Sequence, residues 1–130
     1  MRFRILAAAL LVAGCSGDTT SPGVSHVGAY PLRTVDGNPL PQIVFSDADG
    51  HESIIGGLVL LREDNTYVDS TEVQIVTSTG VAFRQDVARG PYRISGDSVF
   101  FAFQGAEYAM ALDGAELVQD FNGIELVYRR

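Results

Sequence analysis

Apolar and polar residues alternate with a period of two through most of the chain from residue 27 onward. Val81, Phe83, Gln85 and Val87 interleave with Ala82, Arg84, Asp86 and Ala88. Tyr108, Met110 and Leu112 interleave with Glu107, Ala109 and Ala111, and Ile124, Leu126 and Tyr128 with Glu125, Val127 and Arg129. No comparable stretch follows the 3.6-residue period of a helix, so the pattern predicts strands. Turn-forming residues separate them: Asp36-Gly37-Asn38-Pro39, Asp47-Ala48-Asp49-Gly50, Glu63-Asp64-Asn65, Ser95-Gly96-Asp97, Asp113-Gly114 and Asn122-Gly123. Asn-Gly and Asp-Gly favour two-residue hairpin turns because both residues tolerate positive φ.

The spacing predicts strands over 28–34, 42–46, 53–62, 66–77, 81–88, 91–95, 98–104, 106–112, 115–121 and 124–129. Strands joined by short turns form an all-β, antiparallel, up-and-down meander. A meander of this length exposes two edges unless it closes, so a small β-barrel of about 8–10 strands is expected. A two-sheet β-sandwich is the alternative that the same alternation allows. Gly56-Gly57 inside an apolar run predicts a bulge or sharp bend. The expected inward set is Tyr30, Leu32, Ile43, Phe45, Val59, Leu61, Tyr67, Phe83, Tyr92, Ile94, Val99, Phe101, Phe103, Tyr108, Met110, Leu112, Leu117, Ile124, Leu126 and Tyr128. Phe100 and Phe101 point to opposite faces of one strand, so one of the two rings faces outward.

The first residues depart from this pattern. Met1-Arg2-Phe3-Arg4 is a short basic head, and Ile5 to Ala13 is an uninterrupted apolar run. The run is too short for a bilayer, which needs about 20 apolar residues, but it suits the apolar region of a signal peptide. Leu11-Val12-Ala13-Gly14-Cys15 resembles the bacterial lipobox, Leu-x-[Ala/Ser]-[Gly/Ala]-Cys. The resemblance implies cleavage before Cys15, diacylglycerol on its sulfur and an acyl chain such as palmitate on its new amino group. Each buried methylene contributes about 0.8 kcal/mol, so such chains hold a domain at a membrane without a spanning helix. Ser16 follows the cysteine where Asp often signals inner-membrane retention in that family, which favours the outer membrane, facing the periplasm or the surface. The expected organisation is a signal peptide over 1–14, a lipidated Cys15 with a flexible tether over 15–26, and a barrel domain over 27–130.

Composition narrows the partners. The 130-residue chain has a formal net charge of −7, and every basic residue is an arginine. Two of the nine arginines lie in the leader, which leaves seven against all sixteen carboxylates. Such an exterior repels phosphate backbones, so no nucleic-acid partner is expected. One cysteine makes no internal disulfide and no zinc cluster. No cofactor is expected beyond the covalent lipid on Cys15.

Gly28-Ala29-Tyr30 at the first strand is followed by Leu32 and by Asp36-Gly37-Asn38-Pro39-Leu40-Pro41. This opening resembles small bacterial lipocalin-like lipoprotein domains. Leu60-Leu61-Arg62-Glu63-Asp64-Asn65-Thr66-Tyr67 resembles their strand–turn–strand segment, and Gly123 to Arg130 their final strand. The resemblance implies a lipocalin-like barrel in which Tyr30 takes the place of the first-strand Trp and Arg129 or Arg130 packs over it as a cation–π partner.

Candidate chemistry is sparse. His26 and His51 are the only imidazoles, and no Gly-x-Ser-x-Gly elbow occurs. Asp47, Asp49, His51 and Glu52 form one dense group of potential ligands. Gly50 falls at the fourth position rather than the sixth, so the group does not follow an EF-hand loop and reads as a solvated hairpin turn. No enzyme and no metal site are expected. An eight-stranded barrel is just wide enough to fill with side chains or to hold one small ligand. The aromatic inward set favours a filled barrel with a structural or protein-interaction role toward an envelope protein. The alternative is binding of a small apolar ligand, with Tyr30, Phe83, Phe103, Tyr108 and Tyr128 as its lining. A continuous interior cavity above roughly 300 Å³, the low end of ligand pockets, distinguishes the two.

Overall fold

Two-residue turns dictate how this chain folds. Asp36-Gly37, Gln104-Gly105 and Asn122-Gly123 each place both central residues at positive φ in the computed structural model, which describes residues 25–130. These turns twist with the right-handed strands that they join. The strands are β1 (Gly28–Val35), β2 (Asn38–Pro39), β3 (Gln42–Ser46), β4 (Gly50–Leu61), β5 (Thr66–Thr77), β6 (Gly80–Ser95), β7 (Ser98–Phe103), β8 (Ala106–Asp113), β9 (Glu116–Phe121) and β10 (Ile124–Arg129). The predicted segments 81–88 and 91–95 are one strand, β6, because the ladder with β5 runs unbroken from Thr77↔Gly80 to Thr66↔Pro91.

All pairings are antiparallel, and β4 to β10 form a meander in sequence order. The closure is made by β1. Its first half, Gly28–Pro31, pairs with β4, and its second half pairs with β10 after a register shift between Leu32 and Thr34. The result is a closed, eight-stranded, up-and-down barrel rather than an open sandwich. The short β2 pairs with β1, and β3 pairs with the first half of β4. The expected irregularity near Gly56 is a shift of register between Ile54 and Gly56.

β6 turns the second corner. It follows β5 up to Pro91 and pairs with β7 from Tyr92 to Ser95. Gly90 permits the approach, since a Cβ there would lie 2.5 Å from the Ala102 carbonyl oxygen. Tyr92 extends the ladder by donating its N–H to Asn65 O at 2.8 Å.

The core occupies one end of the barrel. Tyr30, Val59, Leu61, Tyr67, Val99, Phe101, Met110, Leu117 and Tyr128 are almost wholly buried. Tyr67 meets Phe101 edge-on with centroids 4.8 Å apart, and Phe101 stacks on Tyr108 at 5.0 Å. The Arg130 guanidinium lies 5.0 Å from the Tyr30 ring centroid and donates to Val27 O at 3.1 Å. The Tyr30 hydroxyl donates to His26 O, and the His26 ring meets Tyr92 edge-on. Both ends of the described chain therefore cover this closed end. Of the Phe100–Phe101 pair, Phe101 is inside and Phe100 lies under the Arg93 guanidinium, 4.1 Å from the ring centroid.

Five residues expected inside are exposed: Ile43, Phe45, Phe83, Ile94 and, at the last position of β7, Phe103. Ile43 and Phe45 belong to β3, which flanks β4 outside the closed ring. Ile94 sits beside the tight β6–β7 turn, past the end of the core. Phe83 is 69% exposed because the register inherited from inward-facing Tyr92 points the even-numbered residues of β6 inward. Val35, Ile54 and Val73 are buried in addition to the expected set.

Candidate functional site

Tyr67, Asp69, Thr71 and Val73 alternate along β5, and the burial of Tyr67 fixes their shared face as the inner one. Across the ladder with β6 they meet Gly90, Ala88, Asp86 and Arg84. Small and charged residues thus occupy inward positions where the closed end has large apolar ones. They do not fill the barrel, and a cavity of about 340 Å³ remains at the end opposite Tyr30. Its apolar wall includes Ile54, Val73, Phe103, Phe121, Ile124 and Leu126. Glu52, Asp69, Thr71, Arg84, Asp86 and Gln119 add polar groups. Phe103 and Phe121 are the last residues of their strands and Ile124 the first of its own, which places the mouth at the β7–β8 and β9–β10 turns.

The floor is a linked set of hydroxyls around one carboxylate. The Tyr108 hydroxyl donates to Asp69 Oδ2 at 2.8 Å, and the Tyr67 hydroxyl donates to Ala102 O at 2.9 Å. Burial raises the Asp69 carboxyl above the usual carboxylate range, and the bond from Tyr108 opposes that rise. Burial and then the Asp69 charge push the Tyr108 hydroxyl well above its ordinary range, so it remains a neutral donor. The same two causes raise Tyr128, a weak interaction with Thr71 opposes them, and its buried hydroxyl has no partner at full hydrogen-bond geometry among the described residues. Buried polar groups rarely stay unpaired, and those that do need an explanation.

Nearer the rim, Arg84 Nε contacts Asp86 Oδ1 at 3.1 Å and Arg84 Nη2 contacts Glu52 Oε2 at 3.4 Å. Three carboxylates and one guanidinium line the cavity, so its potential is negative. The arrangement suits an apolar body with a hydrogen-bond donor or a cation at one end. It brings no imidazole into the cavity.

The residues expected to line a ligand separate in the structure. Phe103 lies on the cavity wall, and Tyr108 supports the floor through Asp69. Tyr128 is fully buried near that carboxylate, whereas Tyr30 belongs to the closed end and Phe83 points outward from β6. Cys15, with the expected signal peptide and most of the expected tether, lies outside the described residues. Asp47 serves its own turn: its Oδ1 accepts the N–H groups of Asp49 at 2.8 Å and Gly50 at 3.1 Å. Sequence reasoning missed Asp69, Thr71, Arg84 and Asp86. The signal for Asp69 and Thr71 was present, since both stand in phase with Tyr67 on a predicted strand. Compared with protein-family models, curated proteins and solved structures, the chain matches none.

Proposed function

We propose that this chain is a lipid-anchored, non-enzymatic protein of the bacterial envelope that holds one small, mainly apolar molecule in the open half of its barrel. The cavity of about 340 Å³ with Asp69 at its floor carries the reading, since small-ligand sites are apolar hollows above roughly 300 Å³ with a few placed polar groups. It favours ligand binding over the filled barrel, a description that suits the closed half. The excess of carboxylates in the lining favours a molecule with a protonated amine or another donor at its polar end. The lipocalin-like reading gains support from Gly28-x-Tyr30 and from Arg130 over the Tyr30 ring. The lipobox-like residues Leu11 to Cys15 support the anchor.

Titration calorimetry with decylamine and with decanoate tests the binding. Saturable binding of decylamine that weakens in Asp69→Asn, with decanoate excluded, is the expected result. Equal uptake of both, or none, opposes the reading. For the anchor, Cys15→Ser is expected to release the mature chain from membranes, and retention opposes it.

A further inference from the structure

The edge of β6 beside the cavity mouth is unpaired. β7 engages β6 only from Tyr92, because the Gln104-Gly105 turn reverses the chain just past Phe103. Among the described residues no strand pairs with β6 on that side over Val81–Arg89. The phase of the free edge follows from Tyr92, whose N–H points at Asn65 in the same register that joins Thr77 to Gly80. Even-numbered residues therefore direct their backbone groups toward β5. Val81, Phe83, Gln85, Val87 and Arg89 direct theirs outward. Val81, Phe83 and Val87 are also exposed, at 56%, 69% and 39%. Edges of this kind are usually guarded against association.

The sequence of this edge is self-complementary. We propose that two copies of the chain pair antiparallel along β6 about a two-fold axis through Gln85. In that register Gln85 faces its own copy, Phe83 faces the second copy's Val87, and Ala82 faces the second copy's Ala88. Arg84 faces the second copy's Asp86. Apolar meets apolar at Phe83–Val87 and Ala82–Ala88, positive meets negative at Arg84–Asp86, the Gln85 amides meet each other, and only the terminal Val81–Arg89 pair is mixed. A guard of one sign would repel itself, whereas Arg84 and Asp86 attract when the strand is reversed. The backbone phase agrees. Gln85 and the Phe83–Val87 pairs occupy hydrogen-bonded positions, and Arg84 and Asp86 occupy the non-hydrogen-bonded positions where side chains approach most closely. Pairing over Val81–Arg89 makes about ten backbone hydrogen bonds. The two closed ends then point in opposite directions.

The pairing is tested in the full chain within native membranes, by oxidative cross-linking of Gln85→Cys. Cα atoms at a hydrogen-bonded pair stand about 5.5 Å apart, within disulfide range. The chain has one other cysteine, Cys15, so the unsubstituted protein is the control. A disulfide-linked species of twice the mass is expected with Gln85→Cys and absent with Phe83→Cys. Adding Arg84→Asp or Asp86→Arg alone sets like charges opposite each other, which lowers the yield about tenfold. Co-expressing those two variants restores complementary pairs and the yield, which separates the effect from misfolding. The proposal is overturned by a monomer with no cross-link, by cross-linking of Phe83→Cys to itself, by indifference to the charge changes, or by capture of a different protein alone.

Discussion

Asp69 is a carboxylate that the fold holds at a cost. Its pKa is raised by burial, so the folded state binds its proton more tightly than the unfolded chain does. Stability from this residue is greatest below the unfolded carboxylate value and falls as pH rises through the higher folded one. Thermal melts from pH 3 to 8 should show the wild type losing stability over that window relative to Asp69→Asn, which keeps an acceptor for Tyr108. Parallel profiles for the two proteins would contradict this. The tyrosines around it should separate. Tyr108→Phe leaves Asp69 Oδ2 without its donor and should cost about 1–3 kcal/mol in urea unfolding. Tyr128→Phe removes a buried hydroxyl that lacks a well-formed hydrogen bond among the described residues and should be neutral or stabilising by about 1 kcal/mol. A larger loss for Tyr128→Phe would mean that its hydroxyl has a partner in solution.

Strands and turns follow from local chemistry, which is why most were legible. Asn122-Gly123 and Asp36-Gly37 name their own turn type, and β3, β5 and β10 fall within a residue of their expected bounds. The facing of β6 was not legible. Read alone, Val81, Phe83 and Val87 look like a buried stripe, and Arg84 and Asp86 like its solvated face. The opposite holds because Tyr92, a core residue on the same strand, carries its phase back across the Gly90-Pro91 corner. That corner spans two sheet regions, and no window shorter than the whole strand reveals it. The cavity was hidden for the same reason, since Asp69, Asp86 and Arg84 come together only through cross-strand register. Gly90→Ala tests the corner itself. Its methyl would press on the Ala102 carbonyl, and a loss of about 1–3 kcal/mol in chemical unfolding is expected.

At the scale of the molecule, one half of the barrel provides stability and the other provides space. Phe101→Ala in the packed half should cost about 3–5 kcal/mol. Ala88→Phe in the open half should instead abolish decylamine uptake with little change in unfolding midpoint, and retained uptake would place the ligand elsewhere. The partition also has a bearing on how the protein is presented. Residues 26 and 27 and Arg130 meet at the pole far from the mouth. A circular permutant with those ends joined by a short Gly/Ser linker, and new ends opened at the Asn122-Gly123 turn, would move the leash to the opposite pole. Under the proposed anchor the barrel would then hang upside down, its opening turned toward the bilayer, and uptake would be closed off without altering a single residue of the lining.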